Sequence, residues 1–562
     1  MTVHERIVDV TFDSIDRGRT AFYTPAMNLD ADLSAELRRC WGYDSFRPLQ
    51  ERIIRSLLGH RDVCVVMPTG GGKSLCYQLP AAMMGAQTAI VVSPLIALMQ
   101  DQVAQLDQMG IPAAMLNSSL AAARQNEIVH QASLGKYRLL YLSPERLARE
   151  DSLEWLARVP ISFFAIDEAH CISEWGHEFR PDYRLLSRLR THFPCQPIAA
   201  FTASATRRVR HDIIEQLQLR DPDKFIASFH RPNLRYIVKV CDAASQHELL
   251  LSALREHAGS NVIVYSPTIK RVEQTVEVLK GEKIPAIGYH GQMDADSRRT
   301  NQERWMTDDV RVLVATTAFG LGINKAAVRA VIHLSMPKSV EQFYQEAGRA
   351  GRDGQPSDCL LLWQKRDAGL LAHFIGQIED PDEKERAWQR YHMIRDFCES
   401  KVCRHRRICL YFGETPKWNS CGACDVCAPE PVWLNPDTGT ARTVSPRAKR
   451  KRKPDAPARV RTVRSYEPDS SENVHAADPE LREYLREWRK ATANERKVPA
   501  FVILHDSSLD ELSRRPPRTL ADIAATSGFG EKKTASYGPA ILDAVKRFRQ
   551  GARATKAGGQ GL

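Results

Sequence analysis

The chain has 562 residues, of which 43% are hydrophobic and 26% charged, and it carries a net charge of +11. This is the composition of a globular protein of roughly three to five domains. No apolar run approaches the roughly 18 residues of a membrane span, and the excess of positive charge favours a polyanionic partner.

Residues 1–27 read as a charged tail without the apolar core of a secretory signal. The expected compartment is therefore the cytoplasm, with nucleoid association in a bacterium. Leu33, Leu37, Cys40 and Trp41 share one helix face. Gly42 ends that helix, and Pro48 is placed to open the next. Tyr43, Arg47 and Gln50 follow. They read either as helix-cap chemistry or as a clamp for a nucleotide base, with a ring for stacking and an amide for the adenine edge.

Residues 63–79, VCVVMPTGGGKSLCYQL, are a short apolar run, a glycine loop and a helical pattern. That is the context of a phosphate-binding loop. Thr69, Gly70, Gly71 and Gly72 can turn backbone N–H groups around an anion. Lys73 would reach the outer phosphates of ATP, and the Ser74 hydroxyl would sit on Mg²⁺. Met67 departs from the usual pattern, standing where the first glycine belongs. The plain alternative is a strand-to-helix turn carrying a surface lysine.

Strand and helix signals then alternate. Strands are expected at Thr88–Val92, Leu139–Leu142, Ile161–Ile166 and 198–201, each ending in a polar cluster. Such alternation predicts a doubly wound parallel sheet with ligands at the strands' carboxyl ends. Asp167 and Glu168 directly follow the third of these strands. A strand end would hold Asp167 near Mg²⁺, and Glu168 would deprotonate an attacking water. Residues 171–184, CISEWGHEFRPDYR, crowd Trp175, His177, Phe179, Arg180 and Tyr183 into one short segment. They read as local core, or as a surface for stacking on single-stranded bases that senses nucleic acid beside the catalytic acid.

Pro232, within FHRPNLRY at 229–236, marks the crossing to a second α/β unit. Strands are expected at Asn261–Tyr265, Ala286–Tyr289 and 310–315. This half has no glycine loop with Lys-Ser. Arg349 and Arg352, in QEAGRAGRDG, are three apart on a helix face or at its end. They read as surface salt-bridge formers, or as fingers presented across a cleft to a γ-phosphate.

Taken together, GGGKS, SPLIALMQDQ, SPER, DEAH with its aromatic segment, TASAT, YHGQM, ATTAFGLGINK and QEAGRAGRDG resemble the RecQ family of superfamily-two DNA helicases. The resemblance runs from about residue 33 to 428 and resumes near the C-terminus. It implies two tandem RecA-like parallel-sheet lobes, at 28–228 and 229–364. It implies that Tyr43, Arg47 and Gln50 hold adenine and that Lys73, Ser74, Asp167 and Glu168 form the ATP and Mg²⁺ centre. It further implies that His170 and Gln345 couple the lobes, that Arg349 and Arg352 approach the phosphates, and that movement is 3′→5′ on single-stranded DNA.

Cys403, Cys421, Cys424 and Cys427 have the spacing C-x17-C-x2-C-x2-C. Four thiolates with no exchangeable position read as structural Zn²⁺. The runner-up is an iron–sulfur cluster, but Pro431 stands where the run's next partner would fall. The cluster also resembles the RecQ zinc module, a helical unit at 365–428. Cys398 and Cys409 read as packing residues.

Residues 429–476 are rich in Pro, Ser and charge, and are expected to form a disordered basic linker. The basic block at 449–453 is a solvated tether or a phosphate-backbone contact. Many RecQ proteins place a winged helix in this position, and this stretch is too short and polar for one. Residues 477–550 return to helical periodicity and resemble the helicase-and-RNase-D C-terminal (HRDC) domain, with 551–562 a tail. Gly528-Phe529-Gly530 ahead of Lys532 and Lys533 could hold a phosphate or simply cap a helix. Three functions compete at this point. One is a helicase acting on single-stranded, tailed or forked DNA in repair and recombination. The others are a single-strand translocase or annealing factor with weak unwinding, and a non-catalytic tether switched by ATP.

Overall fold

The computed structural model describes residues 29–117, 120–176, 178–317, 319, 325–434, 478–496, 498 and 500–553. The expected N-terminal tail, most of the linker with its basic block, and His177 lie outside them.

The first lobe is built on strands β1 (Val63–Val66), β2 (Thr88–Val92), β3 (Ala113–Leu116), β4 (Leu139–Leu142), β5 (Ile161–Ile166), β6 (Ile198–Thr202) and β7 (Asp223–Ile226). They form one parallel sheet in the order β3-β4-β2-β5-β6-β1-β7. The apolar runs of β1, β2, β4 and β5 are buried at every position, as strands covered by helices on both faces must be. The helix expected from Pro48 begins at Gln50 instead. The Gln50 side chain accepts a hydrogen bond from Arg47 N–H at 2.8 Å and closes the turn before it, with Leu49 left-handed at φ 71°.

The second lobe repeats the plan with β8 (Leu234–Val240), β9 (Asn261–Tyr265), β10 (Ala286–Tyr289), β11 (Val312–Ala315), β12 (Val328–His333) and β13 (Ser357–Trp363). The order is β10-β11-β9-β12-β13-β8, again parallel.

Helices Lys365–Gly376, Pro381–Glu399 and Arg404–Tyr411 form the module that carries the four cysteines. It is keyed into both lobes. Phe412 stacks on Phe229 with centroids 4.3 Å apart. Arg207 donates to Gly413 O at 2.9 Å and Arg210 to Phe412 O at 3.1 Å. Buried Arg404 grips Asp425 through two bonds of 2.9 and 3.0 Å, while Val238 N–H donates to the same carboxylate at 3.0 Å. The polar stretch after residue 428 does not leave the fold at once. Leu434 is buried in the second lobe's core, and Lys239 pairs with Glu430.

Five helices, Pro479–Arg496, Ala500–Ile503, Asp506–Arg514, Leu520–Ala524 and Glu531–Arg549, make a separate C-terminal core. This domain touches both lobes. Lys532 Nζ donates to Asp107 O at 2.8 Å and Tyr537 OH to Gln108 at 2.6 Å. On the other side Arg486 donates to Thr307 O at 2.6 Å, and Lys490 pairs with Asp309 at 2.5 Å. Among the described residues no helix is long and apolar enough to cross a membrane.

Candidate nucleotide site between the two lobes

Strands β5, β6 and β1 lie side by side, so the segments leaving their carboxyl ends converge. Those segments are the acid pair, the Thr202 cluster and the glycine loop. Gly70 and Gly72 both take positive φ, +83° and +81°. A Cβ on Gly72 would lie 2.3 Å from Gln50 Nε2, so only glycine fits there. Met67 is not strained. Its side chain is buried beneath the loop, where its Cε would lie 3.3 Å from a Cβ on Gly71. A glycine is unnecessary at a position with ordinary backbone geometry.

Lys73 opens the helix Lys73–Met83, and its ammonium folds back to donate to Met67 O at 3.2 Å. Ser74 is the next residue of the same first turn. Gln50 Nε2 donates to Gly72 O at 3.0 Å, and the Arg47 guanidinium donates to Gly70 O. These two side chains thus fasten the loop from outside, while Tyr43 stays 39% exposed.

Asp167 is buried at the end of β5. Its Oδ1 accepts from Glu168 N–H at 3.0 Å, and its carbonyl accepts from Tyr183 OH at 3.0 Å. Burial first, and the Glu168 charge second, push the Asp167 carboxyl up to about 7, with Lys73 opposing them. Glu168 sits in the left-handed region at φ +47°, a strained conformation for a side chain of this kind. Its carboxylate lies 3.3 Å from His170 Nδ1. His170 Nδ1 is 2.9 Å from Thr202 Oγ1, whose hydroxyl donates to Ser204 O at 3.2 Å. Thr202 must then accept from a protonated Nδ1. Burial opposes charge on this ring, but Cys171, Glu168 and Glu178 hold it well above the ordinary histidine range. Ser204 Oγ accepts from Gln345 Nε2 at 2.8 Å. An unbroken polar chain therefore runs from Glu168 across the cleft to the second lobe.

Arg349 and Arg352 stand in the turn after helix Val340–Ala347, not on a helix face. Arg349 is buried beside the Tyr265 hydroxyl. The Arg352 stem packs over the glycine loop, its Cγ 3.2 Å from a Cβ on Gly70. Burial, then the charges of Arg349 and Arg231, push Arg352 down to about 9. Three cations gathered beside a glycine loop make a site shaped for a polyanion.

In the aromatic segment, Arg208 lies 3.0 Å and Arg386 5.6 Å from the Trp175 ring. Arg184 lies 5.5 Å from the Phe179 ring, and Arg180 donates to Pro94 O at 3.5 Å. Glu174 pairs with Arg184 at 2.8 Å and with Arg386 at 3.6 Å. The segment after Glu168 is thereby tied to the cysteine module. Thr202, Ser204 and Arg231 were not singled out by sequence reasoning. The polar cluster after β6 was the signal for the first two.

Facing ligand atoms of Cys403, Cys421, Cys424 and Cys427 all lie within 4.8 Å of one another. Four thiolates around Zn²⁺ at about 2.3 Å stand about 3.8 Å apart, so the cluster fits that ion. Cys421 Sγ also accepts N–H groups from Ala423 and Cys424 at 3.4 Å. Cys398 and Cys409 are buried outside the cluster. Ser74 and Asp167 offer oxygen donors at neighbouring element ends, the donor type that suits Mg²⁺.

The chain matches the DEAD/DEAH box helicase family over residues 47–213 and the helicase conserved C-terminal domain over 245–354. It also matches the RecQ zinc-binding family over 365–428 and the HRDC domain over 478–545. The ATP-dependent DNA helicase RecQ of Bacillus subtilis is 32% identical over 590 residues, covering 91% of this chain and 98% of that protein. The chain belongs to the RecQ family. RecQ of Haemophilus influenzae is 40% identical over 397 residues, 70% of this chain. The match spans 63% of that relative's length. Among solved structures, Mss116p bound to ssRNA and AMP-PNP aligns with a TM-score of 0.50 at 16% identity, over 61% of this chain and 76% of that one. The DUF1998 helicase MrfA bound to DNA aligns with a TM-score of 0.50 at 19% identity, over 61% and 52%. Both are likenesses of fold. They share with this RecQ chain the pair of lobes that faces the cleft.

Proposed function

We propose that this chain is an ATP-dependent 3′→5′ DNA helicase that couples hydrolysis between its lobes to movement on single-stranded DNA, in repair or recombination. Its partners are single-stranded and tailed or forked DNA, and its compartment is the cytoplasm, with nucleoid association in a bacterium. The observation that carries the reading is the polar chain from Glu168 through His170, Thr202 and Ser204 to Gln345. A nucleotide-only switch needs no general base, whereas here that base stands at the head of a path to the opposite lobe.

In this reading the glycine loop and Lys73 hold the phosphates, while Tyr43 stacks on the base. Gln50 and Arg47 hold adenine with it, and also keep the loop's carbonyls turned outward so that its N–H groups face the anion. Ser74 and Asp167 would hold Mg²⁺, which supplies charge neutralisation on the phosphates. Glu168 takes the proton of the attacking water. Arg349 and Arg352 stabilise charge on the transferred phosphoryl group. The aromatic segment, tethered to the zinc module through Arg386, transmits DNA contact to Glu168.

Strand separation on 3′-tailed and forked duplexes, measured in parallel with ATP hydrolysis, tests the proposal. Turnover stimulated by single strands together with duplex unwinding is expected. Turnover indifferent to single-stranded DNA would refute the motor.

A further inference from the structure

We propose that Arg231 is a positioning residue for ATP hydrolysis, bolting the phosphate-binding loop to the arginine-bearing turn, and that His405 of the zinc module holds it in place. The proposal rests on the ATPase reading of the cleft and adds a residue and a role to it.

Arg231 lies in the segment that crosses between lobes, just ahead of β8. One guanidinium nitrogen donates to Thr69 O at 3.3 Å, on the residue before Gly70. The other donates to Ala350 O at 3.3 Å and Gly351 O at 3.1 Å, on the two residues between Arg349 and Arg352. A single planar group therefore grips carbonyls from both lobes, a task suited to a rigid fork and not to the point charge of a lysine. These bonds join the two lobes directly. The turn itself has a second tether, since Asn233 Nδ2 donates to Gly351 O at 2.8 Å and Gln355 O at 3.1 Å. Loss of the Arg231 side chain should leave the turn folded while freeing it from the phosphate loop.

The main chain of Arg231 is held from a third direction. Its carbonyl accepts from His405 Nε2 at 3.0 Å. His405 lies two residues beyond Cys403, in the first turn of helix Arg404–Tyr411. The neighbouring His230 ring packs against His405 and Trp418, with centroids at 4.9 and 4.7 Å. The cysteine cluster thus fixes the start of a helix whose histidine fixes Arg231. That gives the module a direct line to the nucleotide site, separate from any contact with DNA.

Because Lys73 and the glycine loop belong to the first lobe alone, ATP binding should survive the loss of Arg231 while alignment of Arg349 and Arg352 should not. The test is steady-state ATPase at saturating oligo-dT for the wild type, Arg231→Ala, Arg231→Lys, His405→Leu and the Arg231→Ala/His405→Leu double variant. Zinc content is measured on each. Arg231→Ala should lower kcat on the order of ten- to a hundredfold, with KM for ATP within about twofold. Arg231→Lys keeps the charge, should recover only part of the loss, and supplies the same readout should Arg231→Ala not fold. His405→Leu should lower kcat less, retain zinc, and add nothing in the double variant. Wild-type kcat in Arg231→Ala, or a loss confined to KM, overturns the bolt. An additive double variant overturns the His405 link. A wild type without DNA-stimulated turnover overturns the ATPase reading and this proposal with it, and is told apart because it appears before any substitution.

Discussion

Replacing Arg352 with Leu should stabilise the nucleotide-free protein while removing its ATPase activity. Arg352 is held between Arg349, Arg231 and the glycine loop, and burial with those two charges pushes its guanidinium down to about 9. At about 1.36 kcal/mol per pH unit, that fall sets ~5 kcal/mol against the charged form. Leu keeps much of the apolar stem's packing but forfeits the guanidinium's polar contacts, worth about 1–3 kcal/mol. The net gain is on the order of 2–4 kcal/mol, or roughly 5–10 °C in Tm for a cooperative unit of this size. The sign of the pH dependence follows. The folded state releases a proton that the unfolded chain still binds, so the penalty is complete below about pH 9 and is relieved only as pH rises above it. The wild type should gain on the variant only in that alkaline window. Thermal unfolding at pH 7, with and without a non-hydrolysable ATP analogue, is the assay. The analogue should raise the wild-type Tm more than that of Arg352→Leu, and kcat of the variant should fall on the order of a thousandfold or more. A variant that melts below the wild type without nucleotide refutes the reasoning.

Lys73→Ala should abolish ATP turnover while leaving binding of a fluorescent single-stranded oligonucleotide within a few-fold, because the ammonium is committed to the loop interior. Gln345→Ala removes the buried 2.8 Å bond to Ser204, so stimulation of the ATPase by single strands should fall about tenfold while basal turnover persists. Cys424→Ser should take zinc content from about one per chain to well below it and lower Tm by several degrees, since the cluster anchors the start of helix Arg404–Tyr411.

Much of the fold can be read from apolar runs punctuated by polar clusters. Strands β1, β2, β4, β5 and β6 are such runs, and each is buried along its length. The strands that escaped notice have different causes. Edge strand β7, DKFI, sets two charged residues ahead of two apolar ones and buries only Phe225. β8 and β13 pair with each other over seven positions more than a hundred residues apart, and neither declares that partner locally. The same distinction separates the site residues. Lys73, Asp167 and Glu168 are legible because a strand and a turn fix them within a few residues. Arg231 is not, because its three acceptors lie 162, 119 and 120 residues away and exist as a set only after both lobes have folded. The loop position held by Met67 departs from the pattern without consequence, since its backbone is ordinary and its side chain faces core.

The C-terminal domain reverses one reading of its own sequence. The turn at Gly528, Phe529 and Gly530, with Lys532 and Lys533 beyond it, has the make-up of a phosphate cradle. In the structure it is pressed backbone to backbone on the first lobe. A Cβ on Gly530 would lie 2.3 Å from Cys40 O, and one on Gly42 would lie 2.5 Å from the Phe529 backbone. Gly530 caps the helix Glu531–Arg549, Lys532 is spent on Asp107 O, and Lys533 is buried over Phe529. The turn can meet a phosphate only after the domain leaves this seat. The seat adjoins Tyr43, the ring assigned to the nucleotide base, and the same domain holds Thr307 and Asp309 of the second lobe. Any stroke that widens the cleft must therefore break one of the two sets of contacts, and which set yields first decides whether the domain travels with the lobe that binds ATP or with the lobe that carries the arginines.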